Sequence, residues 1–138
     1  MTTYTFTLDS LSADHLRGGF FVGWPNPPSP ETHLRLLQGS SHVVLAWDDG
    51  QVVGFITAIS DGVLSAYIPL LEVLPAYQGR GIGGELVRRM LDQLKDFYIV
   101  DVVCDPDMQP FYARHGLRPY SAMILRNFAR QSGHSTGA

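Results

Sequence analysis

A glycine-rich segment between an apolar strand and an amphipathic helix constrains this chain more than any other feature. It reads Gln78-Gly79-Arg80-Gly81-Ile82-Gly83-Gly84, and glycine adopts positive φ angles without steric cost. Such a turn brings consecutive backbone N–H groups together, and a helix that begins near Ile82 adds the positive end of its dipole. The segment therefore predicts a strand–turn–helix unit that holds phosphate groups.

The residues after this turn predict an amphipathic helix. Apolar side chains recur there at helical spacing while charged ones fall on the opposite side, with Glu85 placed in the first turn. The apolar positions are Ile82, Leu86, Val87, Met90, Leu91, Leu94 and Phe97.

The same glycines also match a dinucleotide-binding pattern. Gly79, Gly81 and Gly84 stand at the G-x-G-x-x-G spacing, and Asp101 follows near the position of a ribose-binding acid. In that fold the first glycine follows its strand almost directly, whereas four residues, 74–77, intervene here. The chain after the motif is also too short for repeated βαβ units, so we expect a pyrophosphate site without a dinucleotide.

Length and composition predict one domain that does not bind nucleic acid. The 138 residues include 45% hydrophobic ones, enough for one buried core, and we expect a single domain over 1–130 and a frayed tail at 131–138. A net charge of −3 without basic runs disfavours a nucleic-acid surface.

Cysteine and histidine usage predicts no disulfide and no metal site. Cys104 is the only cysteine, and the five histidines do not follow a zinc spacing. No apolar run reaches membrane-spanning length and the N-terminus does not resemble a signal peptide, so we expect a soluble, cytoplasmic protein with no membrane contact.

Hydrophobic periodicity and turn residues predict an α/β fold of order βααβββαβαβ. We expect a mixed, mostly antiparallel sheet with helices on both faces and its centre at the strands that end at Val73 and Cys104. The predicted strands are one through Tyr4, Phe6 and Leu8, then 42–47, 52–59, 63–73, 98–104 and 117–125; the predicted helices are 10–17, 30–39, one from Ile82 and 107–115.

Two motifs resemble those of the GNAT N-acetyltransferases. Leu71-Glu72-Val73-Leu74-Pro75 followed by Tyr77-Gln78-Gly79-Arg80-Gly81-Ile82-Gly83 is similar to the acetyl-CoA-binding motif of that family. The later block, Val103-Cys104-Asp105 and Pro110–Leu117, is similar to the last motif of the aralkylamine N-acetyltransferases. The resemblance covers the second half of the chain.

The resemblance implies where acetyl-CoA would bind. The backbone of Leu71 and Val73 would pair with the pantetheine arm as an added strand, in a cleft formed where this strand splays from the one ending at Cys104. Gln78 and the N–H groups of the glycine loop would hold the pyrophosphate. The loop residues are Gly79, Arg80, Gly81, Ile82, Gly83 and Gly84.

The resemblance also implies catalytic roles. A neutral primary amine would attack the thioester, with a backbone N–H near Leu71 or Val73 stabilising the oxyanion. The leaving thiolate resembles a thiol of pKa about 8.5, so a phenol of pKa about 10 can return its proton. Tyr112 would be this acid, and Glu72 is the candidate base.

The chain departs from the family pattern at two places. Asp105 stands where many relatives have a cofactor-contacting asparagine, and it is a candidate cofactor contact. Tyr67 and Pro69 occupy the positions of two histidines that deprotonate the amine in aralkylamine enzymes, so proton removal would fall to Glu72 or to ordered water.

Several assignments leave alternatives open. Glu72 could instead face solvent, Tyr112 could be a core aromatic, and Cys104 fits packing better than nucleophilic catalysis. Phe21, Trp24 and Tyr67 are candidate acceptor contacts, although Phe21 and Trp24 fit core closure slightly better because small domains need aromatic burial. The acceptor would be a small-molecule or peptide amine, a homodimer is possible, and a non-catalytic acyl-CoA-binding sensor domain is the alternative function.

Overall fold

The computed structural model describes residues 1–134, which form one five-stranded sheet and three helices. Short 3-10 turns lie at Ala13–Leu16, Pro75–Tyr77, Pro106–Met108 and Phe128–Arg130. The strands are β1 (Thr3–Thr5), β2 (His42–Asp48), β3 (Gln51–Ser60), β4 (Ser65–Val73) and β5 (Ile99–Val102), and the helices are α1 (Pro30–Gly39), α2 (Ile82–Gln93) and α3 (Gln109–Ala113).

The strands follow sequence order across the sheet, and only the β4–β5 pair is parallel. A two-residue turn joins β2 to β3, where Asp49 and Gly50 have φ angles of 51° and 74°, which is the backbone that tight hairpins require. Between β4 and β5 the chain crosses over through α2, and such a crossover makes the two strands parallel.

Apolar side chains fill both faces of the sheet. One cluster packs β2 and β3 under α1 and the N-terminal loop, and it includes Leu37, Leu45 and Phe55. The other packs α2 on the opposite face, with Ile56 and Leu86 fully buried. The predicted fold class is therefore confirmed: a mixed, mostly antiparallel sheet with helices on both faces.

The predicted last strand, 117–125, is wrong. No strand follows β5 within residues 1–134, and the segment from Arg118 to Arg130 is exposed throughout. A strand forms only where a neighbour supplies ladder hydrogen bonds, and an apolar pattern alone does not supply one.

Two other terminal predictions differ in detail. The helix expected over 10–17 is a 3-10 turn, Ala13–Leu16, held by the ring of His15, which accepts a hydrogen bond from the Ser12 N–H at 3.0 Å. Of the tail, residues 131–134 are described, and the Gln131 side chain accepts a hydrogen bond from the Asn26 N–H at 2.9 Å. Residues 135–138 lie outside the described part.

Candidate active site

Strand β4 separates from β5 halfway along its length. The parallel pairing runs from Ser65 with Ile99 to Ile68 with Val102, whereas β4 continues to Val73. Pro69 follows the last pair and has no N–H to donate to the ladder. The register with β3 also shifts here, between Thr57 and Ile59, and such irregularities bend a strand. Residues 69–73 of β4 therefore have no β5 partner, as the splay implied by the resemblance would require.

The glycine loop begins where this free part of β4 ends. Gly79 and Gly81 have φ angles of 78° and 84°, and no atom beyond the chain neighbours lies within 4 Å of where a Cβ would stand on either residue. Gly81 is the N-cap of α2, whose first N–H groups have no helical acceptor. The loop therefore combines open space with the free backbone donors of a helix N-terminus, which are the features that an anion site needs.

Gly83 and Gly84 have a different structural role. Both are helical, and a Cβ on Gly83 would lie 3.8 Å from the side chains of Phe111 and Val73. A Cβ on Gly84 would lie 3.7 Å from His115 Nε2. The start of α2 therefore lies against both the end of β4 and helix α3, which brings together the three elements that carry the predicted site residues.

Side chains of the loop hold its shape. The Gln78 amide donates to the Val73 carbonyl at 3.0 Å, which ties the loop back to the end of β4. The Arg80 guanidinium lies over the Tyr77 ring, 4.9 Å from its centroid. Gln78 is thus placed beside the candidate phosphate site with its amide bonded within the protein.

Glu85 lies in the first turn of α2 but is paired with cations. Its carboxylate accepts from Arg88 and Arg89, each at 2.6 Å. The hydrogen bond from Arg88, with the Arg89 contact and both charges, lowers the Glu85 pKa to about 2. The pairing reduces the repulsion that this carboxylate would exert on an anion at the helix N-terminus.

Tyr112 has a buried ring and belongs to the cluster under α2. Burial, and secondarily the Cys104 thiol, raise the pKa of Tyr112 to about 12. Within residues 1–134, the Tyr112 hydroxyl makes no hydrogen bond, yet it is not one of the fully buried unpaired atoms. The hydroxyl therefore reaches solvent-accessible space.

Cys104 and Asp105 lie just beyond β5. Burial, then the charges of Asp105 and Asp107, raise the pKa of the Cys104 thiol, which makes it a poor nucleophile. Asp105 is exposed and is the N-cap of the turn Pro106–Met108, where its carbonyl accepts from the Met108 N–H at 2.9 Å.

Glu72 points toward the N-terminal loop rather than into bulk solvent. Its Oε1 atom accepts from the Phe21 N–H at 2.7 Å. Burial raises the pKa of Glu72, and the N–H groups of Phe21 and Val22 oppose that shift. Phe21 has a φ of 65°, an uncommon conformation for a non-glycine residue that directs its N–H to this carboxylate.

Residues 11–117 match the model of the Acetyltransferase (GNAT) family, which is well over half of the chain. The chain belongs to the GNAT acetyltransferase family.

Known GNAT proteins resemble the chain over different lengths. An "Uncharacterized N-acetyltransferase ycf52-like" of Prochlorococcus marinus is 33% identical over 125 residues, covering 82% of this chain and 68% of that protein. The "GCN5-related N-acetyltransferase 3, chloroplastic" of Arabidopsis thaliana is 41% identical over 76 residues, which is 54% of this chain and only 32% of that protein.

A solved GNAT structure matches nearly the whole chain. It comes from Deinococcus radiodurans R1, is assigned to the acetyltransferases, and shares 48% identity at a TM-score of 0.92. The match covers 98% of this chain and 94% of that one.

The three candidate acceptor contacts differ in how far their side chains are exposed. The Phe21 ring is buried in the α1 cluster, 4.9 Å from Trp24 and 5.0 Å from His33, while Trp24 is half-buried. Tyr67 is exposed on the paired part of β4, opposite Asp101. The ring of Phe21 therefore closes the core, and only its backbone reaches Glu72.

The contact between Glu72 and the Phe21 N–H was not predicted from the sequence. The two residues are 51 positions apart, and no local pattern signals a loop backbone that folds onto a strand carboxylate. A glutamate between two core residues, Leu71 and Val73, was the only available clue.

Two absences hold for residues 1–134. No helix among them is long and apolar enough to cross a membrane. In the same range, no three His, Cys, Asp or Glu side chains are arranged so that they could hold a metal ion.

Proposed function

We propose that the protein transfers the acetyl group of acetyl-CoA to a primary amine by direct attack, without a covalent enzyme intermediate. The observation that carries the proposal is the open glycine loop at the α2 N-terminus, directly after a strand whose end is free of β5. Membership of an acetyltransferase family supports it.

Backbone groups would bind most of the cofactor. The N–H groups of residues 79–84 would hold the pyrophosphate, and the Gln78 amide would keep the loop in place through Val73. The backbone of Leu71 and Val73 would pair with the pantetheine arm along the edge that β5 leaves open. Asp105, which is exposed beyond β5, would be a peripheral contact.

Tyr112 would act as the general acid. The amine nitrogen bonds to the acetyl carbon, the carbon–sulfur bond breaks with its electron pair leaving on sulfur, and Tyr112 gives that thiolate its proton. A pKa of about 12 keeps the phenol protonated at neutral pH. The likeness of the motif around Tyr112 to that of aralkylamine enzymes supports the assignment.

Glu72 would accept the proton that the amine loses, directly or through water. Leu71 and Val73 pack in the α2 cluster, and side chains alternate along a strand, so Glu72 points to the α1 face. The acceptor would then approach from the side of the loop that carries Phe21 and Trp24, with Tyr67 as a further contact. A small-molecule or peptide amine fits this assignment, and the cytoplasmic location remains a prediction.

Thermal unfolding with acetyl-CoA, CoA and NADH tests the proposal. A ligand at 100 times its Kd adds about 2.7 kcal/mol to the stability of the folded state. We expect acetyl-CoA and CoA to raise the Tm and NADH to leave it unchanged. No shift with any of them would contradict the proposed cofactor site.

Turnover separates the enzyme from a sensor domain. A panel of primary amines with acetyl-CoA, followed by free-thiol detection, should release CoA with at least one amine. CoA binding without product from the whole panel would favour a non-catalytic acyl-CoA-binding domain.

A further inference from the structure

A row of three exposed side chains crosses the sheet where β4 is still paired with β5. Ile59 of β3 pairs with Tyr67 of β4, and Tyr67 pairs with Asp101 of β5. Paired residues project from the same face of a sheet. The chain neighbours of all three pack in the α2 cluster, so the row projects from the α1 face, which is also the face of Glu72.

Helix α1 and the N-terminal loop leave this row uncovered. Phe55 and Thr57 lie earlier on β3 and project from the same face, where they are 0% and 1% exposed. By contrast, Ile59 is 55% exposed, Tyr67 is 36% exposed, and Asp101 is exposed as well. The covered part of the face therefore ends after Thr57, and the row forms an open floor beside it.

This floor lies along the strand that leads to the proposed reaction centre. Tyr67 precedes Leu71 by four residues, which is roughly 13 Å along an extended strand. The Tyr112 side chain is 7% exposed, and its hydroxyl makes no hydrogen bond within residues 1–134. A polar group that is so nearly buried calls for a partner, and the proposed function supplies one by placing the reacting amine and thioester there.

The segments that form this side of the cleft carry only negative charge. Residues 59–73 and 98–108 contain no basic side chain, and their acidic ones are Asp61, Glu72, Asp101, Asp105 and Asp107. Within residues 1–134, Asp101 forms no ion pair. Charge complementarity therefore favours a ligand that carries more than one positive charge.

The row combines the groups that bind an ammonium group at the end of an apolar chain. The Asp101 carboxylate can pair with the ammonium, and the neighbouring Tyr67 ring can add a cation–π contact. Ile59 continues the floor with an apolar side chain that suits methylene groups.

We propose that the acceptor is a long-chain diamine, which rests on the proposed acetyl transfer and names its substrate class. One amine reacts beside Tyr112 and Glu72, and the methylene chain follows β4 toward Tyr67. The second amine stays protonated and binds between the Tyr67 ring and Asp101. Asp101 is then a specificity residue and takes no part in the chemical step.

Steady-state kinetics with matched amines test the proposal. The probes are 1,6-diaminohexane against hexylamine and 1,3-diaminopropane against propylamine, each with acetyl-CoA. The test variant is Asp101→Asn. The control is Asp9→Asn, which makes the same charge change at an exposed aspartate of the N-terminal segment.

We expect the wild type to favour 1,6-diaminohexane over hexylamine about fivefold in kcat/KM, after allowance for its two amino groups, as is typical of an exposed charge pair. The preference should fall to about one in Asp101→Asn, persist in Asp9→Asn and decline with added salt. The short diamine cannot span from Leu71 to the row, so it should show no preference over propylamine.

Calorimetric titration of 1,6-diaminohexane and hexylamine into the protein, with and without CoA, gives a readout that does not depend on turnover. The diamine should bind more tightly than hexylamine in the wild type, and the difference should disappear in Asp101→Asn. Circular dichroism identifies a variant that has unfolded, in which case Asp101→Ser replaces it.

The outcomes separate this inference from the proposed function. Equal kcat/KM for the diamine and hexylamine would overturn the diamine site while acetyl transfer stands, and so would a preference that survives Asp101→Asn. Asp101-dependent diamine binding without release of CoA would support the site and contradict acetyl transfer. Neither binding nor turnover of any probe would overturn both.

Discussion

At the scale of single residues, burial controls the chemistry of the two candidate catalytic groups. Tyr112 and Glu72 both have raised pKa values because desolvation disfavours their charged forms. The raised pKa of Tyr112 keeps the phenol protonated, and an acid must hold a proton before it can donate one. The raised pKa of Glu72 gives its carboxylate a higher proton affinity, which suits a base that takes a proton from an ammonium group.

Replacing Tyr112 by Phe should remove the proposed acid and keep the ring that packs under α2. We expect kcat to fall about 10²-fold with an unchanged Kd for CoA, because general acid catalysis contributes a factor of that order. Steady-state kinetics and calorimetry measure the two values. Tyr98→Phe, at a tyrosine that is 83% exposed, is the control and should behave as wild type.

The pH profile gives a second test of Tyr112. Since its pKa is raised to about 12, the wild-type rate should not decline on the alkaline side through loss of this proton until pH approaches that value. Full turnover by Tyr112→Phe, when chemistry limits the rate, would assign the residue to the core alone.

Replacing Glu72 by Gln should preserve the hydrogen bond from the Phe21 N–H and abolish proton acceptance. The base must be ionised, so wild-type activity should fall as pH falls through the raised pKa of Glu72. In Glu72→Gln we expect a lower kcat and no such acidic limb in the kcat/KM profile. The control is Glu31→Gln, at an exposed carboxylate. An unchanged profile would assign proton removal to water.

At the scale of elements, the turn between β4 and α2 depends on backbone conformation. Gly81 has a φ of 84° at the N-cap of α2, and a residue with a Cβ costs about 1–2 kcal/mol in that left-handed region. Gly83 is helical, and a Cβ there would make contacts of ordinary van der Waals length. The two glycines should therefore respond differently to the same substitution.

Gly81→Ala should lower the Tm, because alanine is strained in this conformation. It should weaken CoA binding at least about tenfold, because a loop that relaxes from the strain must return to the left-handed conformation to bind, and a cost of 1.4 kcal/mol is tenfold in affinity. Gly83→Ala is the matched control and should retain the wild-type Tm. Differential scanning fluorimetry and calorimetry provide both values. Tight CoA binding by Gly81→Ala would show that the loop does not need its left-handed residue.

At the scale of the whole molecule, a buried histidine links stability to pH. His33 is 1% exposed, its Nε2 has no partner within residues 1–134, and it packs against Phe20, Phe21 and Phe55. Burial lowers the pKa of His33 to about 4 from 6.5. The unfolded chain therefore binds a proton that the folded chain excludes.

The sign of the pH dependence follows from this lowered pKa. The stability linked to His33 is fully present above pH 6.5 and is lost as pH falls toward 4, by about 3 kcal/mol in all. His33→Leu should reduce the loss of unfolding free energy between these pH values, measured by urea denaturation. Parallel curves for variant and wild type would contradict a buried neutral histidine.

The sequence by itself determined the elements that depend on neighbours in the chain. Ser29 with Pro30 predicted the start of α1, and the Ser29 hydroxyl does accept from the Thr32 N–H at 3.1 Å. Asp49-Gly50 predicted the β2–β3 turn, and the glycines around Arg80 predicted the start of α2. Capping, turn formation and positive φ are local effects, so residue identity and spacing suffice to predict them.

Only the tertiary structure decided what depends on distant segments. It placed the Phe21 N–H on Glu72 and buried His33 among three phenylalanines. It also left the apolar segment 117–125 without a strand partner, although its pattern predicted one. A strand pairing, a contact between distant segments and a pKa each depend on what lies across the fold, which spacing along the chain does not encode.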